Sequence, residues 1–154
     1  MSLAIEKLLA PATGHPVQHA VEQQDLSLNI AVVFTALEPT LAALKEAGAL
    51  AQSLGAQITL LVLQLVPYPL PLESPPMLVD FNEKRFRVLA SRSPVKTRVC
   101  IFLCRDRMET IMNVLRPNSI VVIGGRKRWW PTVDKRLAHK LRTAGHEVIF
   151  KETE

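Results

Sequence analysis

The chain has 154 residues, a length that predicts one compact domain with or without a short appendage and leaves no room for a second full domain. Its composition, 48% hydrophobic and 21% charged, excludes a disordered or collagen-like chain. The formal net charge is +5, but the ionisable side chains of residues 124–142 alone sum to +6. Any electrostatic partner is therefore expected to meet the protein at this segment.

The sequence has no feature typical of a membrane or exported protein. Its longest nearly unbroken apolar stretch, Ile58–Val66, is too short to cross a bilayer, and the N-terminus lacks a signal-peptide pattern. Cys100 and Cys104 are too few for a disulfide framework and are predicted to be buried thiols. These features predict a cytoplasmic protein without a membrane span.

The N-terminal part of the chain differs in pattern from the rest. Residues 1–27 show no strand pattern and are predicted to form an appendage to a domain over residues 28–154. Leu3–Ala10 fits two helical turns that end at Pro11, and Pro16 is suited to open a second short helix.

From Leu28 onward, strands and helices are predicted to alternate. The valine-rich run Ile30–Phe34 predicts a buried strand, since it is too short to favour a helix. Glu38–Thr40 places an acid and a proline at a helix start, and apolar residues continue at helical spacing until Gly55. Gln57–Val66 is then typical of a central parallel strand buried on both faces.

The alternation continues to the end of the chain. The predicted elements are a helix over Met77–Ala90, a strand over Val95–Leu103, a helix over Met108–Leu115, a strand over Ser119–Ile123, a helix capped by Thr132 and ended by Gly145, and a short edge strand over Glu147–Lys151. This order predicts an α/β fold with a mainly parallel sheet between two helix layers, because parallel neighbours need crossover helices. A ligand cleft is expected at the carboxyl ends of the strands where the chain direction reverses.

Three segments of this pattern resemble the universal stress protein family. Ile30–Leu44 is similar to the family's opening strand and helix, Ala51–Leu61 to the passage into its second strand, and Ile120–Arg126 to the strand that enters its phosphate loop. The resemblance implies a three-layer, adenine nucleotide alpha hydrolase-like fold with five strands in the order 3-2-1-4-5. It also implies a homodimer through the last strand, and a pairing edge at Glu147–Lys151 agrees with that. Some members of the family bind ATP and others do not.

The adenosine end of the family's nucleotide site matches this sequence poorly. The aspartate that holds the adenosine moiety in nucleotide-binding members falls on Thr35. The small residues that follow it fall on Ala36 and Leu37.

The family's phosphate loop matches poorly as well. Its first glycine falls on Gly124, but its second falls on Lys127, and its Gly-Ser or Gly-Thr pair falls on Pro131 and Thr132 in a shorter loop. The glycines are needed because phosphate oxygens must reach backbone N–H groups without a Cβ in the way. Lysine and proline do not provide that opening.

Two interpretations of this region follow. In the favoured one the nucleotide site is degenerate, no cofactor is bound, and the fold serves as a regulatory or interaction module for an unknown protein partner. In the other, an adenine nucleotide or another small anion is held at the ends of strands one and four by direct charge. The candidate ligand residues are Thr35, Ala36, Gly124, Gly125, Arg126 and Lys127.

A third hypothesis is nucleic-acid binding through a mixture of cations and indoles near the C-terminus. We define the basic patch as Arg126, Lys127, Arg128, Trp129, Trp130, Lys135, Arg136 and Lys140. Against this hypothesis, the patch contains no recognised reading motif, and paired tryptophans often pack on a helix or at a subunit contact. Attraction to an anionic membrane is less favoured because Pro131 separates the tryptophans from the helix. A solvated basic helix face is the plain alternative.

The sequence offers little for catalysis or metal binding. It has no nucleophile elbow, P-loop spacing or metalloprotease motif, and no serine or cysteine is placed to pair with His139 or His146. His15 and His19 have the spacing of helical metal ligands, but no third ligand lies nearby in the sequence. The sequence therefore predicts a protein that is not an enzyme and holds no metal.

Overall fold

The computed structural model of the protein describes residues 5–7, 28–71 and 79–154. Its strands are β1 Ile5–Lys7, β2 Asn29–Val33, β3 Gln57–Leu65, β4 Thr97–Cys104, β5 Ile120–Arg126 and β6 Glu147–Thr153. Its helices are α1 Leu37–Leu54, α2 Val79–Ala90, α3 Arg107–Val114 and α4 Val133–Thr143. The elements from β2 onward follow the predicted alternation of strand and helix.

The strands form one sheet in the order β1-β4-β3-β2-β5-β6, and every neighbouring pair is parallel. Leaving out β1, the order β4-β3-β2-β5-β6 is the predicted five-stranded order 3-2-1-4-5, so the predicted fold class is confirmed. The core of one face contains residues of α1 and α2, and the core of the other contains residues of α3 and α4. The sheet is thus the middle of three layers.

The central strand β2 shows why apolar runs lie in the middle of the sheet. Ile30 and Val32 belong to the core on the α1 face, whereas Ala31 and Val33 belong to the core on the α4 face. All four are buried because helices cover both faces, so period-two alternation of polar and apolar residues disappears. Burying a side chain of the size of Ile30 stabilises the fold by about 1.5–3 kcal/mol.

The N-terminal strand corrects one sequence prediction. Ile5–Lys7 pairs in parallel with Val99–Ile101 of β4, so helical turns over Leu3–Ala10 are wrong at these three residues. The reason is tertiary, because β4 would otherwise present unpaired backbone groups at the sheet edge, and three residues are too few for local propensity to decide. The other predictions for residues 1–27, including the Pro16 helix, lie outside the described residues.

Two differences in strand length affect the functional edge of the sheet. The sequence pattern ends β5 at Ile123, but the strand continues to Arg126, and β6 continues from the predicted Lys151 to Thr153. The added residues of β5 pair with Lys151, Glu152 and Thr153, which carries the β5–β6 ladder beyond the end of the neighbouring β2.

The prediction of buried cysteine thiols is borne out by the described residues. Cys100 and Cys104 are buried thiols, and neither is in a disulfide. None of the helices that the structure describes is both long enough and apolar enough to cross a bilayer.

Candidate functional site

The carboxyl ends of β2 and β5 lie side by side where the strand order reverses, the position expected for a ligand cleft. Thr35 closely follows β2, and Gly124 lies one residue beyond the last β5 residue paired with β2. The Thr35 hydroxyl donates a hydrogen bond of 2.7 Å to the Gly124 carbonyl oxygen. The structure therefore brings together two residues that the family resemblance placed at opposite ends of a nucleotide.

The start of α1 is fastened to the same place. The Thr35 amide donates to the Thr40 hydroxyl oxygen at 3.1 Å, and Thr40 is fully buried. Ala36 is exposed and occupies the N-cap position without a side-chain cap, while its carbonyl oxygen accepts from the Thr40 amide. We call Thr35, Pro39, Thr40 and Gly124 the β2–β5 junction. Its polar groups are used to hold the chain turn between strand and helix.

The two glycines at the end of β5 are explained by packing. A Cβ added to Gly124 would overlap the carbonyl group of Pro39, in the first turn of α1. A Cβ added to Gly125 would overlap the ring of Phe150, which lies on the neighbouring β6. Both glycines are buried. Close approach of α1 and β6 therefore requires these two residues whether or not a phosphate is ever bound.

The segment after Gly124 is strand, not an open loop. Gly124, Gly125 and Arg126 pair in register with Lys151, Glu152 and Thr153. One residue further, the Lys127 amide donates to the Thr153 carbonyl oxygen at 2.7 Å. The main chain that aligns with the family's phosphate loop is thus bonded to β6 as far as Lys127.

Lys135 holds the loop that follows. Its ammonium group donates to the Arg128 carbonyl oxygen and forms an ion pair with Glu152, both at 2.8 Å. The Thr132 hydroxyl oxygen caps α4 by accepting from the Lys135 amide at 3.2 Å, as predicted. The charge of Lys135, a member of the basic patch, is therefore balanced by the carboxylate of Glu152 in the same chain.

The pKa values of the two carboxyl groups near Lys135 are shifted in opposite directions. The hydrogen bond from Lys135 to Glu152 holds the pKa of that carboxyl below its usual value, and the charges of Lys135 and Lys127 add to the effect. Burial raises the pKa of Asp134, although the positive charge of Arg107 opposes the rise. One carboxylate is therefore stabilised in its charged form and the other is not.

The rest of the basic patch lies in water. Trp129 is 93% exposed and Trp130 is 50% exposed, with ring centroids 5.9 Å apart and planes inclined by 55°. The Arg128 guanidinium lies over the Trp130 ring, 5.5 Å from its centre. Arg136 and Lys140 are exposed one turn apart on α4.

Several residues at this edge escape prediction from the sequence. No sequence pattern marks Glu152, Phe150 or Pro39 as a residue of the site, because each acts there through a contact with a distant segment. Val133 fits the apolar face of α4 by its spacing, yet it is 75% exposed at the start of the helix.

Arg105 is a further unpredicted residue at the carboxyl end of β4. Its guanidinium donates to the carbonyl oxygens of Val66 and Leu70, each at 2.7 Å, and lies over the Tyr68 ring at 4.1 Å. It thus fastens the start of the proline-rich loop after β3. The position of an arginine just after a predicted strand is the available signal.

The histidines that the structure describes have different surroundings. The Nδ1 atom of buried His146 accepts from the Ser119 amide at 3.2 Å, which fixes the chain between β5 and β6. His139 is exposed on α4. Among residues 5–7, 28–71 and 79–154, no three His, Cys, Asp or Glu side chains come together as metal ligands. His15 and His19 lie outside these ranges.

Known proteins resemble this chain in structure. No protein-family model matches the sequence, and no curated protein matches it by sequence. A crystal structure of a protein from the universal stress protein family of Burkholderia pseudomallei superposes with a TM-score of 0.56. The two sequences are 19% identical, and the match covers 79% of this chain and 93% of that chain. The protein therefore has a universal stress protein-like α/β fold.

Proposed function

We propose that the protein is a divergent universal stress protein-like module of the cytoplasm that acts by binding another macromolecule, and that it neither holds ATP nor catalyses a reaction. The observation that carries the proposal is the strand pairing of Gly124–Lys127 with the end of β6. This segment is held as an extended strand, with the Lys127 amide bonded to the Thr153 carbonyl oxygen, and not as a loop folded around a phosphate.

The β2–β5 junction supports the same conclusion. A phosphate loop needs glycines that leave free N–H groups and open space beside them. Here the space beside Gly124 is filled by Pro39, and the Gly124 carbonyl oxygen accepts from Thr35. At the equivalent of the adenosine-holding aspartate, Thr35 supplies a neutral hydroxyl group that is already donating a hydrogen bond.

The alternative is capture of a nucleotide or another small anion by charge at Thr35, Ala36 and the end of β5. Its support is that Arg126 and Lys127 are exposed beside Gly124 and Gly125. It requires binding by side-chain cations without a backbone cradle. It differs from the favoured proposal in its response to ATP.

Isothermal titration calorimetry with ATP at about 50 mM salt, where charge attraction is weakly screened, tests the proposal. We expect no binding in the micromolar range. Micromolar affinity that disappears in Arg126→Ala/Lys127→Ala would establish charge capture instead. The control variant Arg92→Ala/Lys96→Ala removes two exposed cations from the loop before β4, so its net charge equals that of Arg126→Ala/Lys127→Ala. Affinity unchanged in both variants would indicate a backbone site and would also overturn the proposal.

We further propose that the protein forms a homodimer through β6. This strand is last in the sheet order and pairs with β5 on one side. An edge strand presents unpaired backbone groups, and a second copy can satisfy them. Light scattering at high concentration is expected to give twice the chain mass of 17.2 kDa, and a mass of one chain would contradict the dimer.

A further inference from the structure

We propose that the basic patch binds single-stranded nucleic acid, with Trp129 stacking on a base and Arg126, Arg136 and Lys140 meeting phosphates. The inference rests on the proposed function, since it names the kind of macromolecule that the module binds.

The first support is the exposure of the indoles. Trp129 is 93% exposed, and its ring contact in the structure is the tilted Trp130. Trp129 therefore does not pack on a helix of its own chain, which is one of the two plain explanations of paired tryptophans, the other being a subunit contact. A flat aromatic face in water is a site where any base can stack, whatever the sequence.

The second support is the charge around the indoles. Arg126 at the end of β5 and Arg128 in the following loop precede them, and Arg136 and Lys140 follow on the exposed face of α4. Within the described part of the chain, the side chains of Arg126, Arg136 and Lys140 have no carboxylate partner. Their charges are thus available to a polyanion, and cations on both sides of a stacking platform can follow a phosphate backbone.

The third support is that the patch is held in place before any ligand arrives. Lys135 donates a hydrogen bond to the Arg128 carbonyl oxygen and forms an ion pair with Glu152. The Arg128 guanidinium lies over Trp130. This arrangement fixes the main chain at the indole pair while leaving Trp129 uncovered. Binding to a preorganised surface orders fewer side chains and therefore costs less free energy.

The packing of α4 favours nucleic acid over an anionic membrane. A helix that lies in a membrane interface needs an apolar face along its length. In α4 that face is in use, because Ala138 and Leu141 are buried in the core and Leu137 packs against it. Beyond the indoles, α4 itself exposes a single large apolar residue, Val133, at its first position. The free apolar surface is thus suited to stacking and too small for a membrane-bound helix.

The experiment is a fluorescence titration of the full chain with an oligodeoxythymidine of about 20 nucleotides. The sequence contains two tryptophans, both in the patch, so intrinsic indole emission reports on this site alone. We expect quenching of the emission as a base stacks. If the three named cations each meet a phosphate, raising the salt from about 50 to 200 mM weakens binding roughly 20-fold, from the counterion slope for single strands. Absence of quenching or of salt dependence would overturn the inference.

Variants assign the binding to the patch. Trp129→Ala is expected to weaken binding about 10-fold or more, and the remaining Trp130 still reports the titration. Arg136→Ala/Lys140→Ala is expected to weaken binding and to reduce the salt slope by about 1.4, which is about 0.7 for each phosphate that no longer meets a cation. The control Arg92→Ala/Lys96→Ala has the same net charge as Arg136→Ala/Lys140→Ala, but we expect it to bind the oligonucleotide as tightly as the wild type does. Equal weakening in the two double variants would show attraction to total charge and would overturn the inference.

Two parallel titrations separate this inference from its alternatives. Vesicles with anionic headgroups that shift the indole emission, while the oligonucleotide has no effect, would assign the patch to membranes. An ATP titration of the same sample tests the proposed function by itself. ATP binding with no oligonucleotide binding would overturn both proposals, and neither binding would overturn this inference alone.

Discussion

The β2–β5 junction and the basic patch are separated by a single residue of β5, Gly125, yet they differ in almost every physical property. At the junction the chain is buried, and its polar groups bond to one another. At the patch, Trp129 and most of the cations lie in water. The comparison teaches that the glycines of β5 are required by packing, whereas the charged and aromatic residues that follow them are left in contact with water.

The largest expected effect is at Gly124. The substitution Gly124→Ala places a methyl group against the backbone of Pro39, which cannot rotate away as a side chain can. We expect the free energy of unfolding to fall by about 3 kcal/mol in urea denaturation, at the upper end of overpacking. Gly125→Ala is the matched comparison, because its methyl group meets the far end of the Phe150 ring, and we expect a smaller loss of about 1–2 kcal/mol. Equal losses would contradict the packing explanation.

A medium effect is expected from the hydroxyl group that bridges the junction. Thr35→Val keeps the shape of the side chain but removes the hydrogen bond to the Gly124 carbonyl oxygen. We expect a loss of about 1 kcal/mol in the free energy of unfolding. The control Ser53→Ala removes an exposed hydroxyl bond to Leu50 and should change stability by less than about 0.5 kcal/mol. A Thr35→Val protein as stable as the wild type would mean that the junction does not depend on this bond.

Smaller effects with opposite signs are expected from the two carboxylates near Lys135. The pKa of Glu152 is lowered on folding, so its charged form stabilises the fold above the ordinary carboxyl pKa, and this is lost as the pH falls through the lowered value. Glu152→Gln should therefore be less stable than the wild type at neutral pH. Burial raises the pKa of Asp134, so its charge costs stability above the raised value, and Asp134→Asn should be more stable at neutral pH.

Both differences should narrow in acid, the difference at Asp134 as the pH falls below the ordinary carboxyl pKa and the difference at Glu152 as the pH falls through its lowered pKa. Urea denaturation at about pH 7 and about pH 3 measures them. A stability change of the same sign in the two variants would contradict these electrostatic assignments.

The smallest effect on the free energy of unfolding is expected from substitution of Trp129. Trp129→Ala should change the free energy of unfolding by less than about 0.5 kcal/mol, because the indole is 93% exposed. Trp130→Ala should cost more, since that ring is half-buried and lies under Arg128. A loss above about 1 kcal/mol at Trp129 would show that the indole packs on the protein.

The regular elements were predictable from the sequence because their signals are local. The apolar run around Ile30 marks a strand that is buried on both faces, and Gly55 ends α1 in the left-handed conformation, with φ of 64°. The N-terminal strand was not predictable, since Ile5–Lys7 is defined by its pairing with β4. Three residues are too short a segment for any periodicity to appear.

The candidate site was predictable in composition but not in arrangement. The resemblance to a family placed Thr35 and Gly124 at the same sheet edge and put Lys127 where that family has a glycine. It could not show that Thr35 bonds directly to Gly124 or that Glu152 neutralises Lys135. Both interactions join segments that are far apart in the chain and meet through the order of the strands.

The sequence by itself determined the alternation of strands and helices, and with it a parallel sheet, because apolar periodicity and chain-breaking residues act within a few residues of each other. Only the tertiary structure decided that the glycines of β5 are packing residues and that the indoles beside them remain in water. The reason is that burial depends on which distant element covers a residue. Pro39 and Phe150 cover the glycines, and no described element covers Trp129.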